Sequence, residues 1–280
     1  MEGNDRHVNS SALKKAYTYF LWGKKQLWKT TGGRKEEVFA HALLLHPETE
    51  FPSFRHLRLP EDEIFSTIVR YGDYVQIHAC YAFLSGCRER PVVVDVGAHH
   101  GVYAIVLGKL VQKMNGKIIA IEPNPRAFDI LRTNVEKNGL LDTVDCEKKA
   151  ILDTGGDVFL SDSNSQSHIV SKKDQNTVLA ESTTLTELTK RYFIESIDLL
   201  IIDVEGAELR VLESIEWNSL RIDRIFCEFH PYQWSAFGYG ASNVEKFLVD
   251  HRFRCFDMYF REHVTFLEKA YIGPTFLVRR

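Results

Sequence analysis

The stretch Pro91-Val-Val-Val-Asp-Val-Gly-Ala-His-His-Gly101 constrains the fold of this chain more than any other. Val92 to Val94 and Val96 form a β-branched run of the kind buried on both faces of a parallel sheet. Behind Gly101, Val102, Ile105, Val106 and Val111 open a helical period. Strand, glycine turn and helix in that order make a nucleotide cradle. The spacing is D-x-G-x-x-x-G and not the G-x-G-x-x-G that rests a dinucleotide pyrophosphate on a helix N-terminus, which counts against a nicotinamide-dependent oxidoreductase. An acid at the strand's end, Asp95, suits a cationic amino group instead. The small residues Gly97 and Ala98 let a ligand lie against the backbone, as the amino-acid part of S-adenosylmethionine requires.

A second acid strengthens that reading. Glu122 closes the apolar run Lys117-Ile-Ile-Ala-Ile-Glu122, 21 residues after Gly101. A carboxylate at the tip of the second strand, about 20 residues beyond the turn, can accept both hydroxyls of an adenosine ribose. Two acids that only cap helices would explain each position singly. They explain less well why both fall at strand ends in the required order.

A chain of 280 residues can bury a sizeable core, and 44% hydrophobic with 26% charged residues is an ordinary globular composition. A net charge of −3 gives no general footprint for nucleic acid or an anionic membrane surface. The five cysteines are odd in number, widely spaced and without a C-x-x-C pair, so reduced thiols in a cytoplasmic setting are expected rather than a disulfide framework or zinc knuckle. No window approaches the roughly 18 apolar residues of a membrane span, and the amino terminus does not resemble a secretory signal.

Residues 1–88 are expected to form a helical extension and residues 89–280 the main domain. Lys14 to Lys29 mixes lysines with Tyr17, Tyr19, Phe20, Trp22 and Trp28, and reads as a helix packed on the main domain or as a basic surface that meets a membrane or partner. Pro47 to Pro60 reads as an extended connector, followed by helices over 61–70 and 74–84. From Pro91 strands and helices alternate, the mark of a doubly wound α/β fold with a mostly parallel sheet. Strands are predicted near 91–96, 117–122, 144–150, 197–203, 223–229, 253–260 and 270–279. Helices are predicted near 101–114, 125–138, 184–192, 206–214 and 242–251. Gly155-Gly156 and the apolar pairs after it suggest a β-hairpin over 155–170 with a polar, mobile tip.

The run Ile197-Asp-Leu-Leu-Ile-Ile-Asp-Val-Glu-Gly-Ala-Glu208 repeats the strand-turn-helix pattern. In an open α/β sheet ligands lie beyond the carboxyl ends of the strands, so Asp203 and Glu205 should face the same crevice as Asp95 and Glu122. Glu208 reads as a helix cap, where negative charge is favourable.

The blocks Asp-Val-Gly-Ala-His-His-Gly at 95–101, Ile-Glu-Pro-Asn-Pro at 121–125, Thr184-Leu-Thr-Glu-Leu188, Ile202-Asp-Val-Glu-Gly-Ala-Glu208 and Glu228-Phe-His-Pro231 together resemble the FkbM family of S-adenosylmethionine-dependent methyltransferases. The likeness covers about residues 90–230, and the Ile-Asp-Val-Glu-Gly-Ala-Glu block is its most specific part. It implies the class I methyltransferase fold, a seven-stranded sheet with one antiparallel strand, and transfer of methyl to hydroxyl oxygens, often on sugars or polyketides. It also implies cofactor contacts at Asp95, Gly97, Ala98, His99, Gly101, Glu122, Asn124 and Asp203. The family usually has Asn where His99 stands and commonly Lys where Ile202 stands.

The expected acceptor is a hydroxyl of a small molecule or glycan. No Asn/Asp-Pro-Pro-Tyr/Phe motif of the exocyclic-amine nucleic-acid methyltransferases occurs. A protein or RNA acceptor, or a non-catalytic interaction protein with this fold, are the alternatives. The N-terminal helices and the 155–170 hairpin are expected to shape the acceptor pocket. For the base, His230 at the end of the fifth strand is preferred at an ordinary pKa near 6.5, with Glu228 orienting it or binding the acceptor and Asp203 and Glu205 holding the hydroxyl. His99 is a second candidate base. A metal on Asp203, Glu228 and His230 is chemically possible but not expected.

Overall fold

The computed structural model describes residues 74–85, 87, 89–161, 169–170, 175, 177–256, 262–263 and 273–279. The aromatic segment 14–29, the connector 47–60, the helix expected over 61–70 and the hairpin tip lie outside them.

In chain order the elements are α1 (Tyr74–Ser85), β1 (Val92–Val96), α2 (Val102–Lys113), β2 (Lys117–Ile121), α3 (Pro125–Lys137), β3 (Val144–Glu147), β4 (Ala150–Ile151), β5 (Gly156–Ser161), β6 (Ile169–Val170), β7 (Thr177–Thr183) and α4 (Leu185–Arg191). There follow β8 (Ser196–Ile197), β9 (Leu199–Ile202), α5 (Glu208–Glu213), β10 (Arg221–Ile222), β11 (Ile225–Phe229), a short 3-10 helix (Trp234–Phe237), α6 (Ala241–Asp250), β12 (Phe253–Phe256), β13 (Glu262–His263) and β14 (Gly273–Arg279).

The main sheet runs β13-β12-β14-β11-β9-β1-β2-β3. β1 pairs in parallel with β2 and β9, β2 with β3, and β9 with β11, while β14 inserts antiparallel between β11 and β12. This is the expected seven-stranded class I sheet with one reversed strand; the two-residue β13 adds an eighth at the edge.

Alternation along the strands sorts the core onto two faces. Val93, Ile118, Ala120, Leu199, Ile201 and Phe226 pack with α1, α2 and α3. Val94, Val96, Ile119, Ile121, Leu200, Ile202, Cys227 and Phe229 pack with α4, α5 and α6. The central strand is therefore apolar on both sides, and burying each such side chain contributes about 1.5–3 kcal/mol. α1 belongs to this core: Ile77, Cys80, Phe83 and Leu84 are buried in the first cluster. Helix starts follow the local chemistry. The Asn124 side chain accepts from the Arg126 and Ala127 N–H groups with Pro125 at the first helical position of α3, and Thr184 with Glu187 forms a capping box on α4.

The region after β3 differs from expectation. The predicted strand over 144–150 breaks: β3 stays in the main sheet, whereas β4 joins a second sheet of order β4-β7-β5-β6. β5 and β6 pair antiparallel as predicted, but over two residue pairs, Phe159 with Val170 and Leu160 with Ile169. The long partner of β5 is β7, from Gly156 opposite Ser182 to Ser161 opposite Thr177.

Candidate active site

Two strand-turn-helix units, one after β1 and one after β9, face each other at the carboxyl end of the sheet. In the first, Gly97 (φ 86°) and Gly101 (φ 92°) take left-handed conformations. The Gly97 and Ala98 N–H groups both donate to the Ile121 carbonyl at 3.0 Å, tying the turn to the end of β2. A Cβ on Gly97 would stand 1.8 Å from the Asp203 carbonyl oxygen, so the two turns meet backbone to backbone. The Ala98 methyl is buried in the core. His99 is also left-handed (φ 47°), a region in which Asn, Asp and His are the best-tolerated side chains, and this accounts for His where the family usually has Asn. The His99 ring stacks on His100, centroids 3.7 Å apart. Burial and then His99 push His100 down to about 4. Asn134 on α3, not singled out by sequence, donates through Nδ2 to the His100 carbonyl at 2.8 Å and braces the turn.

The two cradle acids have different surroundings. Asp95 is 1% exposed, and neither carboxylate oxygen has a hydrogen-bond partner of normal geometry. Burial and then the Glu122 charge push it up to about 7, against a smaller opposite pull from the Ala104 N–H. Glu122 accepts from the His99 N–H on Oε2 and the Asn124 N–H on Oε1, both at 2.8 Å. Burial raises it too, to about 7, with those two N–H groups opposing. A carboxylate has about four lone-pair sites, so each oxygen keeps capacity for a further donor. A buried anion without a partner is costly. Asp95 beside a glycine turn is a partner position for a cation, and the residues present fit S-adenosylmethionine.

In the second turn, Asp203 N–H donates to the Val96 carbonyl at 3.0 Å, Glu205 is left-handed (φ 47°) and Gly206 has φ 105°. Tyr232 donates its hydroxyl to Glu205 Oε2 at 3.0 Å. His230 Nε2 lies 3.8 Å from Asp203 Oδ1 and 3.9 Å from Glu205 Oε2. The structure thus brings Asp203, Glu205 and His230 together.

Two expectations about His230 are corrected. Its pKa is not ordinary: burial pulls it down, but the hydrogen bond with Glu208 and the charges of Asp203, Glu208 and Glu205 outweigh burial and push it up to about 9. Its orienting acid is not Glu228. β11 ends at Phe229, and the two side chains part: Glu228 Oε2 receives the Gln76 Nε2–H from α1 at 3.5 Å, whereas His230 Nδ1 meets Glu208 Oε1 on α5 at 2.7 Å. Glu208 is correspondingly no surface cap. It is 0% exposed, and it also accepts from the Gly206 N–H (2.8 Å) and from Trp234 Nε1 (2.7 Å). The signal for it was the apolar setting of α5, whose Leu209, Val211 and Leu212 are all buried. Among the described residues no cluster of His, Cys, Asp and Glu could hold a metal ion, and no helix is long and apolar enough to cross a membrane.

A class I sheet whose carboxyl edge carries an acid-bearing glycine turn, a second acid at the next strand and a His-acid cluster opposite defines an S-adenosylmethionine-dependent methyltransferase. Residues 95–263 match the model of the methyltransferase FkbM domain, and the chain belongs to that family. It is 26% identical over 178 residues to the methyltransferase sdnD of Sordaria araneosa, a stretch covering 51% of this chain and 68% of that protein. Among solved structures it is similar to the methyltransferase FkbM of Methylobacillus flagellatus (12% identity, 85% of this chain and 60% of that one, TM-score 0.42). It is also similar to an S-adenosylmethionine-dependent O-methyltransferase of Thermotoga maritima (15% identity, 73% and 64%, TM-score 0.41). The chain thus spans less than two thirds of the length of both these structures.

Proposed function

We propose that the chain methylates a hydroxyl oxygen of a small molecule or glycan, with Asp95, Gly97, Ala98, His99, Gly101, Glu122, Asn124 and Asp203 forming the cofactor side and Asp203, Glu205 and His230 the acceptor side. The observation that carries it is the placement of His230 Nε2 within 4 Å of two carboxylates whose turn abuts the cofactor turn. Asp95 would face the cofactor's ammonium group and Glu122 its ribose hydroxyls. Asn124 caps α3 through Oδ1 and donates its N–H to Glu122, which sets it on the ribose side of the cradle. S-adenosylmethionine supplies an electrophilic methyl on a sulfonium.

The chain's own residues supply position and proton removal, the two largest contributions to such a displacement. Asp203 and Glu205 hold the acceptor in the crevice and leave its reacting O–H directed at His230 Nε2. His230 Nε2 takes that proton as the oxygen–carbon bond forms, and the thioether leaves. The imidazolium favoured at rest must first lose its proton. A second positive charge in the same crevice disfavours it. Gln76 beside Glu228 supports a role for α1 in covering the acceptor side; in our reading residues 89–280 are the methyltransferase domain and residues 1–88 an extension over its acceptor side, whose last helix, α1, is seated in the domain's core.

The test has two parts. Labelled methyl from the cofactor, incubated with a cell extract, should enter the glycan or small-molecule fraction; label in protein or RNA would overturn the acceptor assignment. With the acceptor so fixed, His230→Ala should lower transfer about 100-fold or more while cofactor affinity stays nearly intact. Unchanged transfer would move the base to Glu205 or His99.

A further inference from the structure

We propose that Glu208 is the positioning residue for His230, holding Nδ1–H from beneath so that Nε2 is the nitrogen presented to Asp203, Glu205 and the acceptor. The role rests on the reading of His230 as base, and it gives that reading its directionality.

A carboxylate that merely favours a helix N-terminus lies at the surface and takes its hydrogen bonds from the first turn. Glu208 does neither. It is fully buried, and two of its three donors come from 22 and 26 residues further along the chain, His230 at the end of β11 and Trp234 in the 3-10 helix. Only the Gly206 N–H is local. An isolated buried carboxylate is strongly unfavourable, so an acid is kept there only with its lone pairs filled. Three donors from three parts of the chain occupy most of them and fix the carboxylate plane. The Trp234 ring is itself locked: it is 2% exposed, edge-on to Phe229 at 6.0 Å and tilted against Tyr239 at 5.8 Å.

An ionised carboxylate only accepts, so the imidazole nitrogen against it must carry the proton. This selects one of the two neutral tautomers, leaving the Nε2 lone pair toward the crevice. The other groups facing His230 do not compete for Nδ1. Asp203 and Glu205, on the turn after β9, stand at Nε2. Glu228 turns to Gln76 on α1. Tyr232 sits edge-on to the ring at 5.8 Å with its hydroxyl committed to Glu205. A neutral amide in place of Glu208 can donate as well as accept, so it relaxes the tautomer lock, and it takes the charge out of the hydrogen bond that, against burial, most raises the pKa of His230.

The experiment is nitrogen-15 NMR of imidazole-labelled full-length protein through a pH titration, with steady-state rates beside it. In the wild type we expect the Nδ1 proton of His230 to be protected from exchange, and the neutral form to carry its proton on Nδ1. A wild-type ring protonated on Nε2 in its neutral form overturns the proposal whatever any variant does. Glu208→Gln should lower the His230 midpoint by about one unit or more, lower kcat about tenfold or more, and leave KM for the cofactor unchanged; an unmoved midpoint overturns the proposal. Should that variant not fold, Trp234→Phe keeps the charge and removes one competing donor, so the midpoint must hold or rise, and a fall overturns it. If His230→Ala leaves transfer intact while Glu208→Gln still moves the midpoint, the positioning stands and the base assignment alone fails.

Discussion

Asp95 offers the sharpest energetic test of the cofactor cradle. A carboxyl moved from an ordinary 3.8 to about 7 by folding corresponds to about 4 kcal/mol. The sign follows from the direction. The folded state holds this proton more tightly than the unfolded chain, so stability is greatest below about pH 4, falls as pH rises, and the penalty is complete above about pH 7. Glu122 shifts in the same direction through an overlapping window, chiefly by burial, and its charge adds to the rise of Asp95. Asp95→Asn keeps the shape and cannot ionise. Its advantage over the wild type in thermal unfolding should grow by about 2–4 kcal/mol between pH 5 and pH 8, several degrees in Tm. Comparing the two pH values cancels the packing difference between Asn and a protonated Asp. Cofactor binding must show the converse. Pairing with a cationic amino group requires the ionised acid, so affinity for S-adenosylhomocysteine by calorimetry should rise about tenfold per pH unit up to about 7, then decline above about 8 as the ligand's own amino group deprotonates. Asp95→Asn should bind on the order of 100-fold more weakly. Equal wild-type affinity at pH 5.5 and 7.5, or an Asn-for-Asp stability difference that is the same at both ends of the range, would refute the reasoning.

Gly97→Ala should destabilise the fold by more than about 3 kcal/mol in chemical denaturation, since its φ of 86° disfavours a side chain and the new methyl meets the Asp203 carbonyl; a change below about 1 kcal/mol would contradict the close approach. Glu205→Gly relieves a left-handed side chain and should stabilise by about 1 kcal/mol while reducing transfer, whereas Phe193→Gly, at φ 55° and 93% exposed, should stabilise by a similar amount with transfer unchanged. Cys80 and Cys227, whose thiols burial pushes well up, should stay unmodified by a thiol reagent at pH 8 in the native protein and react on unfolding.

How much of this was legible from the chain depended on how local the cause was. β1, β2, β9 and β11 announce themselves because their apolar runs are buried on both faces, and the glycine turns because left-handed backbone favours glycine. The second sheet was only half visible. In β7 the run Thr177-Val-Leu-Ala-Glu-Ser-Thr183 has no clean alternation, and Leu179 is left 56% exposed, so nothing short-range marks a strand; pairing with β5 across the intervening residues decides it. Glu208 was misread for a related reason. Its position at a helix start is a local fact, but its burial comes from His230 and Trp234, two side chains that reach it only once β11 and the 3-10 helix are in place. The pKa of His230 inherits that non-locality, set by burial against three carboxylates on two other elements, the turn after β9 and α5.

The absent side chain at Gly97 has a consequence for how such an enzyme diversifies. Because the Asp203 carbonyl occupies the space a Cβ would take, the loop we assign to the methyl donor and the loop we assign to the acceptor meet through main-chain atoms at Gly97. The distance between donor and acceptor is thereby a property of the scaffold and insensitive to drift in sequence nearby. New acceptors can be explored by changing what surrounds the crevice, while the alignment on which the displacement depends is inherited intact.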